Sequence, residues 1–267
     1  MKVLITGASS GIGRDMARVL ADKYDEMVLV ARGEDNLNKL KEEISKKSKC
    51  TIKTVAMDLS NPDNCIKLHL ENPNVDLLIN NAGFGDCGDF TKTSLEKEIS
   101  MINTNITAYH ILTKLYLIDM KKADKGHILN VASIAGFMPG PLMSTYYATK
   151  SYVVRLSEGI REELKKEKSK VKISVLCPGP VDTNFNKVAN VKFSLKELSS
   201  YDVAKYAINN LNRFYIVPGL ATRFARVGVR VLPNSLIAKM TYNAQHRKIY
   251  GWKRKPWKKR TVPFFTK

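Results

Sequence analysis

The sequence of 267 residues contains only four cysteines, and no two of them form a Cys-x-x-Cys pair. This scarcity argues against a disulfide framework or a metal site, and it favours a reducing compartment. Long apolar runs are missing too: nowhere do the roughly 18 apolar residues of a membrane-spanning helix follow one another. The apolar run in residues 1–7 is too short for a signal peptide. We therefore expect a cytoplasmic protein without metal or spanning helix.

Acidic residues are absent from the last quarter of the chain. Val203 to Lys267 contains fifteen Lys or Arg and no Asp or Glu, whereas residues 1–202 contain 29 basic and 25 acidic residues. The net charge of +19 is therefore concentrated in the C-terminal quarter, and the body carries only +4. Because the composition is otherwise that of an ordinary folded protein, the body and the basic quarter need separate explanations.

Short apolar runs alternate with helical patterns over residues 1–217. The six runs typical of strands are Val3–Ile5, Met27–Val30, Ile52–Val55, Leu77–Ile79, His127–Val131 and Val171–Leu176. The longest helical stretches between them are 106–121 and 145–168. Unbroken runs of Val, Ile and Leu suit strands buried on both faces, and the alternation predicts right-handed crossovers. The sequence thus predicts an α/β fold with a doubly wound parallel sheet flanked by helices.

A glycine-rich turn joins the first strand to the first helix. It has the sequence Thr-Gly-Ala-Ser-Ser-Gly-Ile-Gly, which places glycines at Gly7, Gly11 and Gly13. One glycine permits a sharp turn, a second lets the backbone approach a pyrophosphate, and a third allows close helix–strand packing. The helix N-terminus offers its N–H groups to the same anion. Since the spacing differs from the common Gly-x-Gly-x-x-Gly, the placement between strand and helix carries the prediction of a dinucleotide site.

The end of the second strand indicates which dinucleotide is bound. An acidic residue there accepts a hydrogen bond from the adenosine ribose 2′-hydroxyl of NAD, and a guanidinium pairs with the 2′-phosphate of NADP. Ala31 and Arg32 stand at this place, and the next acidic residue is Glu34. NADP is therefore predicted over NAD, the alternative being that Arg32 is a solvated surface arginine.

A tyrosine and a lysine in a predicted helix indicate the chemistry. Tyr146 and Lys150 are four residues apart and hence on one helix face. A phenol has an ordinary pKa of about 10, which a nearby ammonium and an oxidised nicotinamide would lower. Such a tyrosine exchanges a proton with a carbonyl or alcohol oxygen. Tyr147, three residues before Lys150, is a rival by spacing alone.

Further motifs make the chain similar to the short-chain dehydrogenase/reductase family over residues 2–219. Besides the glycine turn, these motifs are Asp58-Leu59, Asn80-Asn81-Ala82-Gly83, Asn105, Ser133 at thirteen residues before Tyr146, and Pro178-Gly179-Pro180-Val181-Asp182-Thr183. Their order and spacing select Tyr146 over Tyr147. The chain departs from the family pattern at Ala132, which is often serine, and at Gly33, which weakens the preference for NADP.

The resemblance implies a Rossmann-type NAD(P)-binding catalytic domain over 1–219 and a basic amphipathic extension and tail over 220–267. In a catalytic tetrad, Ser133 would donate a hydrogen bond to the substrate carbonyl oxygen and Tyr146 would give it a proton. Lys150 would bind the nicotinamide ribose, Asn105 would hold a relay water, and Thr183 would anchor the carboxamide. The implied cofactor-binding residues are Gly7, Ser9, Ser10, Gly11, Ile12, Gly13, Arg32, Asp58, Leu59, Asn81, Ala82, Gly83, Tyr146, Lys150, Pro178, Gly179, Val181 and Thr183.

The substrate side is expected to be largely apolar. Besides Ser133 and Tyr146, the residues expected to face the substrate are Phe84, Ile134, Phe137 and Met138, with 184–200 as a lid. The alternative is that these apolar side chains belong to the core. The predicted function is the NADP-dependent interconversion of a ketone and a secondary alcohol. A non-catalytic NADP-binding sensor or scaffold is the second hypothesis, against which the complete tetrad argues.

The C-terminal quarter carries two further helical patterns and a basic tail. Residues 221–232 and 235–248 look amphipathic, with an apolar stripe beside arginines in the first. From Arg247 onward nine basic residues are interleaved with Tyr, Trp and Phe. Peripheral contact with an anionic membrane is one hypothesis for the tail. Nucleic acid is a less favoured partner, and a solvated or subunit-packing tail is the third interpretation. By resemblance, the stretches 106–121 and 145–168 would form a dimer or tetramer.

Overall fold

The computed structural model describes residues 1–189 and 197–250. In chain order the strands are β1 (Lys2–Thr6), β2 (Glu26–Ala31), β3 (Thr51–Ala56), β4 (Leu77–Asn80), β5 (His127–Val131), β6 (Lys172–Leu176), β7 (Val181–Asp182), β8 (Leu198–Ser199) and β9 (Tyr215–Ile216). Seven of them form one parallel sheet in the order β3-β2-β1-β4-β5-β6-β9, and β7 pairs separately with β8. The predicted parallel sheet is confirmed.

The described part of the chain contains ten α-helices. They are α1 (Gly11–Leu20), α2 (Glu34–Ser45), α3 (Pro62–Glu71), α4 (Leu95–Ile102), α5 (Ala108–Lys122), α6 (Ser144–Lys166), α7 (Phe185–Val188), α8 (Ser200–Asn209), α9 (Leu220–Val231) and α10 (Asn234–Tyr250). Several helices begin at a side-chain cap: Asn61, Ser94 and Ser199 accept hydrogen bonds from the first-turn N–H groups of α3, α4 and α8.

The sheet is buried on both faces, as its uninterrupted apolar strands predict. In β1, Val3 and Ile5 belong to a core that also contains residues of α1, α2 and α8. The intervening Leu4 belongs to a second core, shared with α3, α5 and α6. Alternate side chains of one strand thus point to opposite faces, and each face is covered by helices. This explains why these strands show no polar alternation.

The order of the strands reverses at the centre of the sheet. The chain passes from β1 to β2 and β3 on one side, and then returns to place β4, β5 and β6 on the other side of β1. The loops after β1 and β4 therefore leave the sheet in different directions and open a crevice at the carboxyl ends of these strands. Ligands of doubly wound sheets bind at this switch point.

The helix predicted over 106–121 begins differently in the structure. Leu95–Ile102 forms α4, residues Asn103–Thr107 form one π-helical turn, and α5 starts only at Ala108. The π-helical turn carries the widened hydrogen bond from the Ala108 N–H to the Asn103 carbonyl. Such turns insert one residue into a helix and often occur at functional sites. Here the turn contains Asn105, one of the predicted catalytic residues.

The C-terminal quarter continues as two helices after β9. The patterns predicted over 221–232 and 235–248 correspond to α9 and α10. Part of the predicted lid, 190–196, and most of the predicted basic tail, 251–267, lie outside the described residues. Across the ranges 1–189 and 197–250, we find no helix with the length and apolarity needed to cross a bilayer. The division into 1–219 and 220–267 stays a prediction.

Candidate active site

The three glycines of the turn after β1 stand where a side chain would clash. Gly7 and Gly11 adopt positive φ angles of +65° and +52°, which disfavour other residues. A Cβ atom on Gly7 would lie 2.8 Å from the Cα atom of Ala82, and one on Gly13 would lie 2.5 Å from the carbonyl oxygen of Gly7. Each glycine is therefore required sterically: the first two by their backbone conformation, and the third by the close approach of α1 to the turn.

The N-terminus of α1 is left open toward the crevice. Ser10 is the N-cap residue, yet its side chain makes no capping hydrogen bond, unlike the caps of α3, α4 and α8. The first N–H groups of α1 and the positive end of its dipole are thus available to an anion. An open helix end and a turn with glycines at its closest approaches together fit a pyrophosphate.

The segment after β4 is locked against this turn. The hydroxyl oxygen of Thr6 accepts hydrogen bonds from the backbone N–H groups of Asn81 and Ala82 at 2.9 and 3.0 Å. In return, the Asn81 amide donates to the carbonyl oxygens of Thr6 and Gly7 at 3.0 and 3.1 Å. The two motifs, separated by some 75 residues in sequence, are thereby one rigid floor of the crevice.

Above this floor lies a cavity of about 980 Å³. It brings together every predicted cofactor-binding residue except Gly13, whose part is to pack α1 against the turn. At one end are Ala31, Arg32 and Asp58, with Arg32 and Asp58 exposed. Thr183 is close to the glycine turn, since a Cβ atom on Gly11 would lie 2.9 Å from its Cγ2 atom. The volume and the lining fit a dinucleotide with room for a substrate beside it.

Tyr146, Lys150 and Ser133 meet at the other end of the cavity. Lys150 is buried, and its Nζ atom donates to the carbonyl oxygen of Val131 at 2.9 Å. The same Nζ atom lies 6.0 Å from the centre of the Tyr146 ring. Ser133 follows β5, lines the same end of the cavity and interacts with the Tyr146 side chain. The end of β5 and the first turns of α6 thus hold a hydroxyl, a phenol and an ammonium in one cluster.

Burial shifts the protonation equilibria of this cluster. It raises the pKa of Tyr146 well above its ordinary value, although the hydrogen bond with Ser133 acts in the lowering direction. Burial also lowers the pKa of Lys150 to about 8. The lowering of the Tyr146 pKa that the sequence predicts is therefore not produced by the surrounding protein groups, which hold Tyr146 as a neutral phenol.

Asn105 lies behind the cavity wall and does not line the cavity. It is fully buried in the π-helical turn. Its amide nitrogen donates to the carbonyl oxygen of Phe84 at 2.9 Å and to the Thr149 hydroxyl at 3.1 Å, while its amide oxygen accepts from the Phe84 N–H at 3.1 Å. Both amide hydrogens are thus used to hold the loop after β4 against α6. The water-holding role implied by the resemblance stays a prediction.

The neighbouring tyrosine has other contacts. The Tyr147 hydroxyl accepts a hydrogen bond from Gln245 of α10 at 2.7 Å. Its ring packs on Gly140, where a Cβ atom would lie 2.1 Å from the ring. Both tyrosines line the cavity, but it is Tyr146 with which Ser133 interacts. The geometry therefore distinguishes the two residues, which spacing alone leaves open.

Gln245 is a cavity residue that sequence reasoning missed. Its side chain is only 3% exposed, and its Oε1 atom has no hydrogen-bond partner among residues 1–189 and 197–250. No motif marks it, because it lies in a helix beyond the core fold, and only the periodicity of α10 could have placed it inward. A buried amide atom without a partner costs stability unless a ligand satisfies it.

The substrate end of the cavity is apolar, with one difference from the prediction. Phe84, Ile134 and Met138 line it as expected. Phe137 instead packs outside the lining, its ring 5.8 Å from that of Tyr215 and 5.1 Å from the Arg226 guanidinium. Additional apolar lining residues not predicted individually are Met143, Phe185, Val188, Leu198, Leu220, Ala221 and Ala225. The only signal in the sequence that α9 contributes to the cavity wall is its small residues.

Comparisons with known proteins agree with this geometry. A family model described as short chain dehydrogenase matches residues 1–194. A bovine very-long-chain 3-oxoacyl-CoA reductase is 36% identical over 172 residues, which are 61% of this chain and 54% of that protein. The chain thus spans about half the length of that relative.

Two solved structures resemble the fold closely. A short-chain dehydrogenase from Sphingobium yanoikuyae in complex with NADPH has a TM-score of 0.78 at 29% identity, with 86% of this chain and 93% of that one covered. A short-chain dehydrogenase/reductase from Burkholderia phymatum in complex with NAD has a TM-score of 0.76 at 26% identity, with 86% and 92% covered. The chain belongs to the short-chain dehydrogenase family, and it is an oxidoreductase of the NAD(P)-binding Rossmann type.

Proposed function

We propose that the protein is an NADP-dependent oxidoreductase that interconverts a ketone and a secondary alcohol on a small, largely apolar substrate. The observation that carries this proposal is the meeting of Ser133, Tyr146 and Lys150 at the wall of the cavity that begins at the glycine turn. A phenol that interacts with a hydroxyl and lies close to an ammonium can transfer a proton to a substrate oxygen.

The residues along the cavity suit a bound dinucleotide. The turn from Gly7 to Gly13 and the open end of α1 would hold the pyrophosphate, and Arg32 would pair with the 2′-phosphate of NADP. An ammonium has three donors, of which the Val131 carbonyl takes one, so Lys150 can also donate to ribose hydroxyls. Hydride transfer to the carbonyl carbon is the chemistry that a bound nicotinamide supplies at this site.

Side chains of the protein then stabilise and protonate the carbonyl oxygen of the substrate. Ser133 donates a hydrogen bond to the carbonyl oxygen, where negative charge develops as the carbon is reduced. Tyr146, which burial keeps as a neutral phenol, gives that oxygen its proton. Lys150 lies 6.0 Å from the phenol ring and stabilises the phenolate that remains. Asn105 supports this arrangement by fixing the Phe84 loop to α6.

The lining supports a largely apolar substrate. Phe84, Met138 and Phe185 form apolar walls around Tyr146, with the Phe185 ring centre 5.2 Å from that of Tyr146. Gln245 adds one polar group among them, with its unpartnered amide oxygen. The pocket therefore suits a ketone with an apolar body and one further hydrogen-bonding group remote from the carbonyl.

The first test is cofactor oxidation by the purified protein. NADPH and NADH are each incubated with a panel of ketones and 3-oxoacyl compounds, and absorbance loss and alcohol formation are measured. We expect faster turnover with NADPH on at least one apolar ketone. Tight NADPH binding without turnover of any compound would instead favour the sensor or scaffold hypothesis.

Arg32 is expected to determine the preference for NADPH. An Arg32→Ala variant loses charge-assisted hydrogen bonds to the 2′-phosphate, so the KM for NADPH should rise roughly 10- to 100-fold. The KM for NADH should change by less than about threefold, because NADH has no such phosphate. Lys39→Ala removes another exposed cation, from α2, and is the matched control. Equal changes for both cofactors would show that Arg32 is a solvated surface residue.

Gln245 is expected to discriminate between ketones that differ by one hydroxyl. A Gln245→Leu variant should lower kcat/KM for 4-(4-hydroxyphenyl)-2-butanone by roughly tenfold or more, since the hydroxyl then has no partner. For 4-phenyl-2-butanone the change should stay below about threefold. Asn243→Leu changes an exposed amide of the same helix and serves as the control. An equal loss on both ketones would mean that Gln245 only supports Tyr147.

Assembly into a dimer or tetramer is part of the proposal. The outer sides of α5 and α6 are linked by a hydrogen bond between His110 and the Tyr152 hydroxyl at 2.8 Å. Ile118, eight residues after His110 in α5, is exposed. An apolar side chain on these long helices supports a contact with a second subunit. Sedimentation velocity on the full chain measures the number of subunits directly.

A further inference from the structure

Helix α9 exposes its apolar face instead of burying it. Leu220, Phe224, Val227 and Val231 recur at intervals of four, three and four residues, so they form one stripe along the helix. Their side chains are between 62% and 80% exposed, and α9 contains no buried residue. We call these four residues the α9 ridge. Leu232, Leu236 and Met240 are further exposed apolar residues that follow the ridge into α10.

The arginines of α9 explain why the helix lies this way. The Arg223 Nε atom donates to the carbonyl oxygen of Val217 at 3.0 Å. The Arg226 guanidinium stacks over the Tyr215 ring at 3.7 Å. These contacts bind the basic side of the helix to the body and turn the ridge outward. In most surface helices the apolar stripe faces the core, so a contiguous exposed stripe of this kind marks an interaction surface.

Charge identifies the partner of this surface. From Val203 to the end of the chain there are fifteen Lys or Arg and no Asp or Glu. A second copy docked through the same ridge would bring two cationic quarters together, which is unfavourable. Arg230 of α9 and Lys239 of α10 are exposed. An anionic lipid surface provides negative headgroups for such exposed basic side chains and an apolar interior for the ridge. Nucleic acid would satisfy the charge but would leave the apolar stripe uncovered.

The ridge is continuous with the cavity mouth. Leu220 belongs to the ridge and also lines the cavity, as do Ala221 and Ala225 from the other side of α9. We propose that the α9 ridge docks the protein on an anionic membrane and places the cavity entrance at the lipid surface. A lipophilic ketone dissolved in the membrane would then enter without crossing water, a consequence that rests on the proposed function. The docking itself does not.

Co-sedimentation with vesicles tests this proposal on the full chain. The unaltered protein is mixed with phosphatidylcholine vesicles that contain either no phosphatidylserine or about 30% of it. A Phe224→Ser/Val227→Ser variant removes two ridge side chains without changing charge. The control is Phe90→Ser/Leu95→Ser, since these residues are 65% and 67% exposed but lie far from α9 in sequence. NADPH binding by each variant reports that it is folded.

We expect the unaltered protein and the control to bind the anionic vesicles, and the ridge variant to bind at least about tenfold more weakly. Binding should also fall at about 0.5 M salt, which screens the headgroup attraction. Equal binding of the ridge variant and the unaltered protein would overturn the proposal. So would no binding at all, or a dimer in sedimentation velocity that the ridge substitutions dissociate. These outcomes do not depend on turnover, so the docking and the reaction can fail independently.

Discussion

A Tyr146→Phe variant is expected to lose ketone reduction by about 10³-fold or more in kcat while it binds NADPH as the unaltered protein does. The substitution removes only the hydroxyl, which is the proposed proton donor and the group that interacts with Ser133. The ring contact with Phe185, at 5.2 Å between ring centres, is retained. Single-turnover kinetics with saturating NADPH measure the chemical step, and cofactor fluorescence measures binding.

Tyr147→Phe is the matched control for this experiment. It removes a phenol from the adjacent position of α6, and that phenol accepts a hydrogen bond from Gln245. We expect kcat to fall by less than about tenfold, because no proton passes through this hydroxyl. If Tyr147→Phe is inactive and Tyr146→Phe is active, the assignment of the proton donor is wrong.

Lys150→Met is expected to have the second largest effect. Methionine fills a similar volume but carries no charge, so the phenolate of Tyr146 and the cofactor ribose both lose their cationic partner. We expect kcat to fall by about 10²-fold or more and NADPH to bind roughly tenfold more weakly. A loss of both kcat and NADPH affinity distinguishes Lys150→Met from Tyr146→Phe, which should leave NADPH affinity unchanged. A loss confined to kcat would exclude the ribose contact.

The pH dependence of folding stability tests the burial of the same lysine independently of activity. Its pKa is lowered by desolvation from 10.5 to about 8 in the folded protein, so the unfolded chain binds the proton more tightly between these values. The unaltered protein should therefore gain about 2 kcal/mol in unfolding free energy, relative to Lys150→Met, from about pH 8 to about pH 10. Urea unfolding measures this difference. Identical pH slopes would mean that the ammonium is solvated.

Much of the fold could be predicted from local sequence patterns, because a parallel sheet covered on both faces requires apolar strands. Apolar runs such as Val3–Ile5 and Leu77–Ile79 are strands because both faces of the sheet are covered, and the structure shows this. The glycine turn was predictable for a similar reason. A Cβ atom on Gly7 would clash with the backbone of Ala82, so a glycine at this position indicates that the two segments approach closely.

The features that could not be predicted depend on contacts between distant parts of the chain. The residues around Asn105 contain no pattern that predicts a π-helical turn. The Asn105 amide is instead satisfied by Phe84 and Thr149, which belong to other elements. The sequence predicts Phe137 at the substrate, but its ring packs instead with Tyr215 and Arg226. Gln245 enters the site only because α10 packs back onto Tyr147.

The central claim is that this cavity reduces a ketone with hydride from NADPH and a proton from Tyr146. Reduction with NADPH deuterated at C4 of the nicotinamide ring, followed by mass spectrometry of the alcohol, tests it most directly. We predict alcohol with deuterium on the carbinol carbon, in an amount equal to the NADPH oxidised, and none from the Tyr146→Phe variant. Alcohol without deuterium, or no alcohol from any ketone although NADPH binds, would contradict the claim.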